Sequence, residues 1–291
     1  MIAPFFEDLQ RRKNISLGLD SIYCILEKLG LPQNKVKSIH IAGTNGKGSV
    51  AYYLAESLKF SGYKTGLYTS PHLVNYNERI RINGENISDA DFISLISKVK
   101  AVPDSEVLTE FEFLTVVAFL YFASQQCDVM VIETGLGGRL DATNVIIPEL
   151  SIITPISLDH QDYLGDNLVS IAKEKAGIIK KQIPVISAYQ VLEVKTVLEE
   201  VAHQKLSPFF ISKNLTTDYV SMNKDLALQA LDLLQSKFAK IDVRKCKTNL
   251  ANLFWAGRAE VISQNPLIII DGAHNPAGME AIIGLLKKKY P

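Results

Sequence analysis

Seven side chains in this sequence could carry chemistry together: Lys47, Ser49, Ser70, Glu133, Asp159, His160 and Lys175. Lys47 and Ser49 lie in the stretch IHIAGTNGKGSV, residues 39–50. An apolar run, the glycines Gly43, Gly46 and Gly48, a lysine, a hydroxyl and a helical pattern are the parts of a loop that cradles phosphate. In such a loop successive backbone N–H groups point at an anion from a helix N-terminus. Glycines let the backbone come close and adopt positive φ. Lys47 could reach phosphate oxygens, and Ser49 stands where a Mg²⁺ ligand would be needed. The spelling departs from G-x-x-x-x-G-K-[ST], because Gly48 separates Lys47 from Ser49. A glycine-rich turn without a ligand is the alternative reading.

The other strand ends add to this set. In open α/β sheets, ligands collect beyond the carboxyl ends of the strands. KTGLYTS delivers Ser70, DVMVIE delivers Glu133, and SIITPIS leads into Asp159 and His160. Mg²⁺ prefers oxygen ligands and phosphates, so Ser49, Ser70 and Glu133 suit it. His160 is a less typical ligand for that ion and reads equally as an imidazole in a structural hydrogen bond. In NLVSIAKEKAGII, Leu168, Ile171, Ala172 and Ile179 mark an apolar helix face. Lys175 falls on that face, while Lys173 and Glu174 point away. The pattern favours a buried stem whose ammonium snorkels to water. The sharper alternative is a desolvated neutral amine that takes up CO₂ as a carbamate, an added carboxylate for a metal.

The elements that must position these residues follow from hydrophobic patterning. Apolar runs KSIHIAG, KTGLYTS, CDVMVIETG, LSIITPIS and KQIPVIS alternate with helical segments. That alternation predicts an α/β fold, a mostly parallel sheet covered by helices on both faces. After Ser49, the residues Val50, Ala51, Leu54, Ala55 and Leu58 form one stripe at helical spacing, and Gly62 stops it. Around residues 249–257 the pattern changes, and a new strand, PLIIID, starts at Pro266, which makes this stretch the candidate domain boundary. No internal repeat or low-complexity tract is evident.

Composition narrows the function. With 47% hydrophobic and 21% charged residues, the 291-residue chain reads as globular. Its 31 basic residues balance 31 acidic ones, which gives no support for nucleic acid or a membrane as partner. Residues 113–127 are apolar but too short to span a bilayer, and read as a buried core helix. The start, MIAPFFEDLQRRKN, lacks the pattern of a secretory signal. Cys24, Cys127 and Cys246 are widely spaced and read as core thiols in a reducing compartment, so a cytoplasmic protein is expected.

The stretches LGLDSI, IHIAGTNGKGSV, TSPHLVNYNERIRING, TEFEF, ETGLGGRLDATN, SLDHQDYLGD, IAKEKAGIIK, AGRAEV and DGAHNP, in that order, resemble the folylpolyglutamate synthase/dihydrofolate synthase family of the Mur ligase superfamily. The resemblance covers nearly the whole chain, and it accounts for the odd phosphate loop as the family's own. It implies the Mur ligase central-domain type of fold with a P-loop. The implied reaction is ATP- and Mg²⁺-dependent addition of L-glutamate to dihydropteroate or folates through an acyl phosphate.

Carried over by position, Lys47, Glu133, His160 and Lys175 are the catalytic group. Thr44, Asn45, Gly46, Lys47, Gly48 and Ser49 would hold the ATP phosphates, with Asn223, Arg258 and Asp271 as further nucleotide contacts. Ser49, Ser70, Glu133, His160 and a carbamylated Lys175 would be the metal ligands. Asn14, Ile15, Ser16 and Leu17, then Thr109, Glu110, Phe111 and Glu112, then Leu140, Asp141 and Ala142, would line the pteroate site. Phe111 and Phe113 are either core aromatics or rings for stacking on the pterin.

The resemblance also implies a division into residues 1–256, which bind ATP and pteroate, and residues 257–291, a linker and the first βα unit of a C-terminally shortened glutamate-ligase domain. A lone βα unit cannot bury PLIIID by itself, so this tail is expected to pack on the first domain, pair with another chain or be poorly ordered. The partners expected are the small-molecule substrates, acting on a monomer. Two other functions fit the same residues: another amide ligase of the superfamily, or an ATP-binding remnant without catalysis.

Overall fold

The structure, a computed structural model, describes residues 18–213 and 218–290. The expected pteroate contacts Asn14, Ile15, Ser16 and Leu17 lie outside the described residues. The apolar runs form β1 (Lys37–Ala42), β2 (Thr65–Tyr68), β3 (Ile80–Ile82), β4 (Glu85–Asn86), β5 (Val129–Glu133), β6 (Leu150–Ile153), β7 (Val185–Ser187) and β8 (Phe209–Ile211). They pair in the order β4-β3-β2-β5-β1-β6-β7-β8. From β2 to β8 every pairing is parallel, and only β3 and β4 turn back antiparallel at one edge. The mostly parallel α/β sheet expected from the sequence is therefore the one observed.

Burial on both faces explains why these strands read as continuous apolar runs. Successive side chains of a strand point to opposite faces. On β5, Met130 and Ile132 join the core beneath the helices Asp20–Lys28, Asp89–Lys100 and Glu110–Ser124. Val129 and Val131 join the opposite core, with Ile39 and Ile41 of β1, beneath Lys47–Phe60, Tyr219–Leu234 and Val243–Asn252. A third cluster packs Leu168–Ala176 and Leu192–Gln204 toward the β6–β8 end.

Helix Lys47–Phe60 buries the stripe Val50, Ala51, Leu54, Ala55 and Leu58 that the spacing predicted. Helix Glu110–Ser124 is the buried core helix expected for residues 113–127, and starts with a Thr109/Glu112 capping box. Helix Leu168–Ala176 ends before Ile179, which is buried just beyond it. Among the described residues no helix is long and apolar enough to cross a membrane.

The C-terminal part differs from the expectation. PLIIID does not stand as a lone strand: Leu267–Ile270 (β10) pairs antiparallel with Glu260–Gln264 (β9). EVISQ is short and half polar, so periodicity did not mark it as a strand, yet the turn at Asn265 and Pro266 folds the two together. The chain then enters helix Pro276–Lys289, where only Ile282 is buried. Ile268 and Ile270 stay 43% and 46% exposed.

Gly66 in β2 gives a direct test of the central packing. A Cβ there would lie 2.7 Å from the Phe122 ring, and the parallel neighbour β5 fixes the strand. Gly66→Ala is expected to destabilise the chain by about 1–3 kcal/mol, the usual range for overpacking a core. Urea unfolding of the two proteins checks this; equal midpoints would show that Phe122 yields freely.

Candidate active site

The loop after β1 is held by the loop after β6. Thr44 N–H and Asn45 N–H both donate to Pro155 O, at 2.9 and 3.3 Å. Thr44 Oγ1 donates to Ser157 O and accepts from Ser157 N–H, each at 3.1 Å. From the far side, Lys175 Nζ donates to Gly43 O at 2.8 Å. Gly46 caps helix Lys47–Phe60 with φ 88°, and a Cβ on it would lie 2.5 Å from Asn223 Oδ1. Both the conformation and the space call for glycine there. Asn223 itself is buried, on helix Tyr219–Leu234.

Glu133, the last residue of β5, sits between the loop and Ser70. Its Oε2 accepts from Ser70 N–H at 3.0 Å, and a Cβ on Gly48 would be 3.3 Å from the same oxygen. Burial pushes its carboxyl up to about 7 against the pull of Lys47, Ser70 N–H and Arg258. Ser49 Oγ is buried and has no hydrogen-bond partner, and neither has the hydroxyl of Thr134, next to Glu133. A buried hydroxyl without a partner is costly, which makes Ser49 a ready oxygen ligand.

The expected site residues thus fall into groups. Lys47, Ser49, Ser70, Glu133, Asn223 and Lys175 converge on the loop. Lys175 corrects the snorkelling expectation: it is 3% exposed and bonded to Gly43 instead of reaching water. The helix face that carries it is packed, so the amine has no way out. Burial and the Lys47 charge lower its pKa to about 7. His160 stands apart; its side chain is 52% exposed, and Asp159 Oδ1 lies 3.9 Å from Nε2. Among the described residues no three His, Cys, Asp or Glu side chains group to hold a metal.

Arg258 and Asp271 come from the linker and β10 end. Asp271 accepts from Tyr219 OH, from Ala259 N–H and from Ala273 N–H. Trp255 stacks on Tyr52 with ring centroids 4.3 Å apart, under Arg81 at 4.9 Å, which holds this linker on helix Lys47–Phe60.

The segments expected to line the acceptor site lie near the same edge. Phe113 is fully buried and belongs to the core, whereas Phe111 is half-buried, 5.9 Å from the Tyr68 ring and against Gly135. Glu110 accepts from Tyr76 OH at 2.9 Å, and Glu112 Oε2 accepts from Thr109 N–H and Oγ1, each at 2.8 Å. Leu140 is half-buried, and Asp141 and Ala142 are buried.

Sequence reasoning missed Asn275. Its amide pairs reciprocally with that of Asn45, both bonds at 3.0 Å, and also donates to Asp159 Oδ2 at 3.1 Å. The Asn-Pro opening of a helix was the available signal.

The profile of the Mur ligase middle domain matches residues 41–256. The dihydrofolate synthase/folylpolyglutamate synthase of Bacillus subtilis is 34% identical over 94% of this chain and 73% of its own length. The folylpolyglutamate synthase of Lacticaseibacillus casei is 37% identical over 92% of this chain and 72% of its own length. A solved folylpolyglutamate synthase complex with AMPPCP and folate superposes with TM-score 0.90 at 34% identity, covering 98% of this chain and 80% of that one. The Mycobacterium tuberculosis folylpolyglutamate synthase with ADP and AMPPCP gives TM-score 0.88 at 31% identity, covering 100% and 75%.

The two displaced groups predict a stability profile. Glu133 is raised from 4.5 to about 7, so the native state holds an extra proton between these values and stability falls as pH rises through that window. Lys175 is lowered from 10.5 to about 7, so the unfolded state holds the extra proton and stability rises from pH 7 toward 10.5. Urea unfolding in chelator and CO₂-free buffer should show both slopes. Glu133→Gln should flatten only the first, and Lys175→Met only the second; unchanged slopes would contradict these assignments.

Proposed function

Because the chain belongs to the dihydrofolate synthase/folylpolyglutamate synthase family, ATP-dependent ligases of the Mur ligase group, we propose that it binds ATP on the 43–49 loop and activates a dihydropteroate or folate carboxylate for amide formation with L-glutamate. The observation that carries this reading is the buried Glu133 carboxylate, set against Gly48 and Ser70 N–H beside an unpartnered Ser49 hydroxyl.

A carboxylate resists attack by an amine, so its oxygen first takes the γ-phosphoryl group and ADP leaves. The amine of glutamate then attacks the acyl carbon, loses a proton, and inorganic phosphate departs. Both steps gather negative charge at the loop. Lys47 and the helix N-terminus behind it would offset that charge. Asn45 and Thr44, anchored on Pro155, Ser157 and Asn275, keep the loop from rearranging as the charge moves. Asn223, Arg258 and Asp271 serve the nucleotide from the opposite side.

The donors fit a divalent cation: Ser49 lacks any other partner, and Glu133 and Ser70 adjoin. Mg²⁺ held by Ser49, Ser70 and Glu133 would offset phosphate charge, and His160, which stands apart from them in this structure, would have to turn toward the loop to join them. Lys175 joins that group as a carbamate. Near neutral pH its amine is partly unprotonated and able to attack CO₂. The attack forms an N–C bond and releases one amine proton to solvent; the product keeps one N–H, which can remain on Gly43 O, and carries a carboxylate where the lysine otherwise carries an ammonium. Thr109, Glu110, Phe111, Glu112, Leu140, Asp141 and Ala142 flank the acceptor, with Phe111 as the ring available for stacking. The substrates are small molecules, met by a monomer in the cytoplasm.

Two measurements test this. Titration with a non-hydrolysable ATP analogue should show magnesium-dependent binding, weakened roughly 10- to 100-fold in Lys47→Ala, the range for a lost charged hydrogen bond. ADP release should require both dihydropteroate, or a folate, and glutamate. Release driven instead by a cell-wall precursor would move the chain to another ligase, and nucleotide binding without any acceptor-dependent release would leave an ATP-binding module. In [¹³C]bicarbonate, a carbamate signal absent from Lys175→Met is expected; its absence from the unsubstituted chain would remove Lys175 from the metal group.

A further inference from the structure

We infer that His40 is a positioning residue for the acceptor site, donating its Nε2–H to Thr143 so that Thr143 can hold Asp141 and the loop of residues 135–144 in shape. This rests on the reading of residues 140–142 as part of that site. His40 lies within β1, fully buried, and faces away from the core formed by Ile39 and Ile41. No step of the proposed chemistry uses it. An aliphatic side chain would satisfy a central strand, whereas a buried imidazole is costly unless its polar atoms are bonded.

The proton count fixes the direction of the chain. His40 Nε2 is 2.8 Å from Thr143 Oγ1. With Asp141 ionised, as its acceptance from Leu136 N–H and Thr143 N–H favours, the single hydroxyl proton of Thr143 is directed at Asp141 Oδ1, which leaves Oγ1 only as an acceptor toward His40. His40 must then carry its proton on Nε2, and Nδ1 is bare. Nδ1 has no partner in the structure. A bare acceptor nitrogen is the less costly way to leave a buried imidazole atom unpaired, since orphaned buried N–H groups are rarer. Burial, and then the Lys180 ammonium, hold the ring neutral, its pKa pushed down to about 3.

What this chain fixes is a loop. Asp141 also accepts from Thr143 N–H at 3.0 Å and Leu136 N–H at 2.8 Å, tying the two ends of the turn together. Asn144 Nδ2 donates to Arg139 O and Gly177 O, and Arg139 N–H donates to Glu174 O. The loop therefore spans from Phe111, which covers Gly135, to the helix that carries Lys175. Loss of the His40 bond would leave Thr143 free to turn and Asp141 with one donor fewer.

The test compares His40→Leu, His40→Gln, Thr143→Val and Thr143→Ser with the unsubstituted chain. Dihydropteroate is titrated in the presence of a non-hydrolysable ATP analogue, and the analogue is also titrated alone. His40→Leu and Thr143→Val should weaken dihydropteroate binding about tenfold, while His40→Gln and Thr143→Ser, which keep a donor and a hydroxyl, recover to within about threefold. Affinity for the analogue should stay unchanged in all four. In [¹⁵N]histidine-labelled protein, His40 should show a protonated Nε2 and a bare Nδ1 that do not titrate between pH 8 and 5.

Unchanged dihydropteroate affinity in His40→Leu and Thr143→Val, or a proton on Nδ1, overturns the inference. Equal weakening for nucleotide and acceptor overturns it as well, since that is general loosening. If His40→Leu fails to fold, the Thr143 pair and the spectrum decide. Failure of the unsubstituted chain to bind dihydropteroate would overturn the acceptor-site reading together with this inference. Binding that is indifferent to the substitutions would sink this inference alone.

Discussion

Lys175 crosses the interior to bond the carbonyl of Gly43, and that contact joins those with Pro155 and Ser157 in setting the shape of the phosphate loop. An amine so placed has given up water without gaining a carboxylate partner, so its charge is poorly supported. Glu133 is in the mirror situation, a carboxylate withdrawn from water beside the same loop. Lys47 acts on both in opposite senses. Its charge favours the Glu133 anion and disfavours a second cation at Lys175. Any anion that settles on Lys47 relaxes the second effect and weakens the first. The loop is therefore a place where arriving negative charge redistributes protons among groups already close to neutrality.

The sheet order is what makes this arrangement possible. β2, β5, β1 and β6 are adjacent in space although their sequence order is scattered. Parallel pairing points all four carboxyl ends the same way, so Ser70, Glu133, the 43–49 loop and Ser157 meet at one edge without any long excursion of the chain. Helix Lys47–Phe60 then packs its apolar stripe beneath the same sheet, which fixes the helix N-terminus against β5.

Much of this was legible in the sequence for physical reasons. Strands buried on both faces must be apolar throughout, and the stripe from Val50 to Leu58 has no other use. The same patterning could not resolve Lys175, because a lysine on an apolar face is compatible with either snorkelling or burial. Only the packed neighbours decide that. EVISQ escaped notice since a half-exposed hairpin strand carries little periodic signal. Asn275 and the His40–Thr143–Asp141 chain escaped for another reason. Asn275 and His40 meet partners 230 and 103 residues away, and a polar residue in isolation does not announce which distant group it will meet.

The C-terminal unit is attached differently from everything else. Helix Pro276–Lys289 buries one apolar side chain, Ile282, which is worth about 1.5–3 kcal/mol at full burial. Its other ties are polar: the Asn45–Asn275 pair, Asn275 with Asp159, and Asp271 with Tyr219. Each such bond contributes about 0.5–1.5 kcal/mol net. Asn275 moreover caps its own helix by accepting from Gly278 N–H at 2.8 Å. One amide thus starts the helix and grips the phosphate loop. A group that shifts Asn45 acts on the helix start, and a group that repositions the helix acts on Asn45. By linkage the two effects are equal in free energy, so occupancy of the loop and placement of the C-terminal unit are coupled through a contact only two side chains wide.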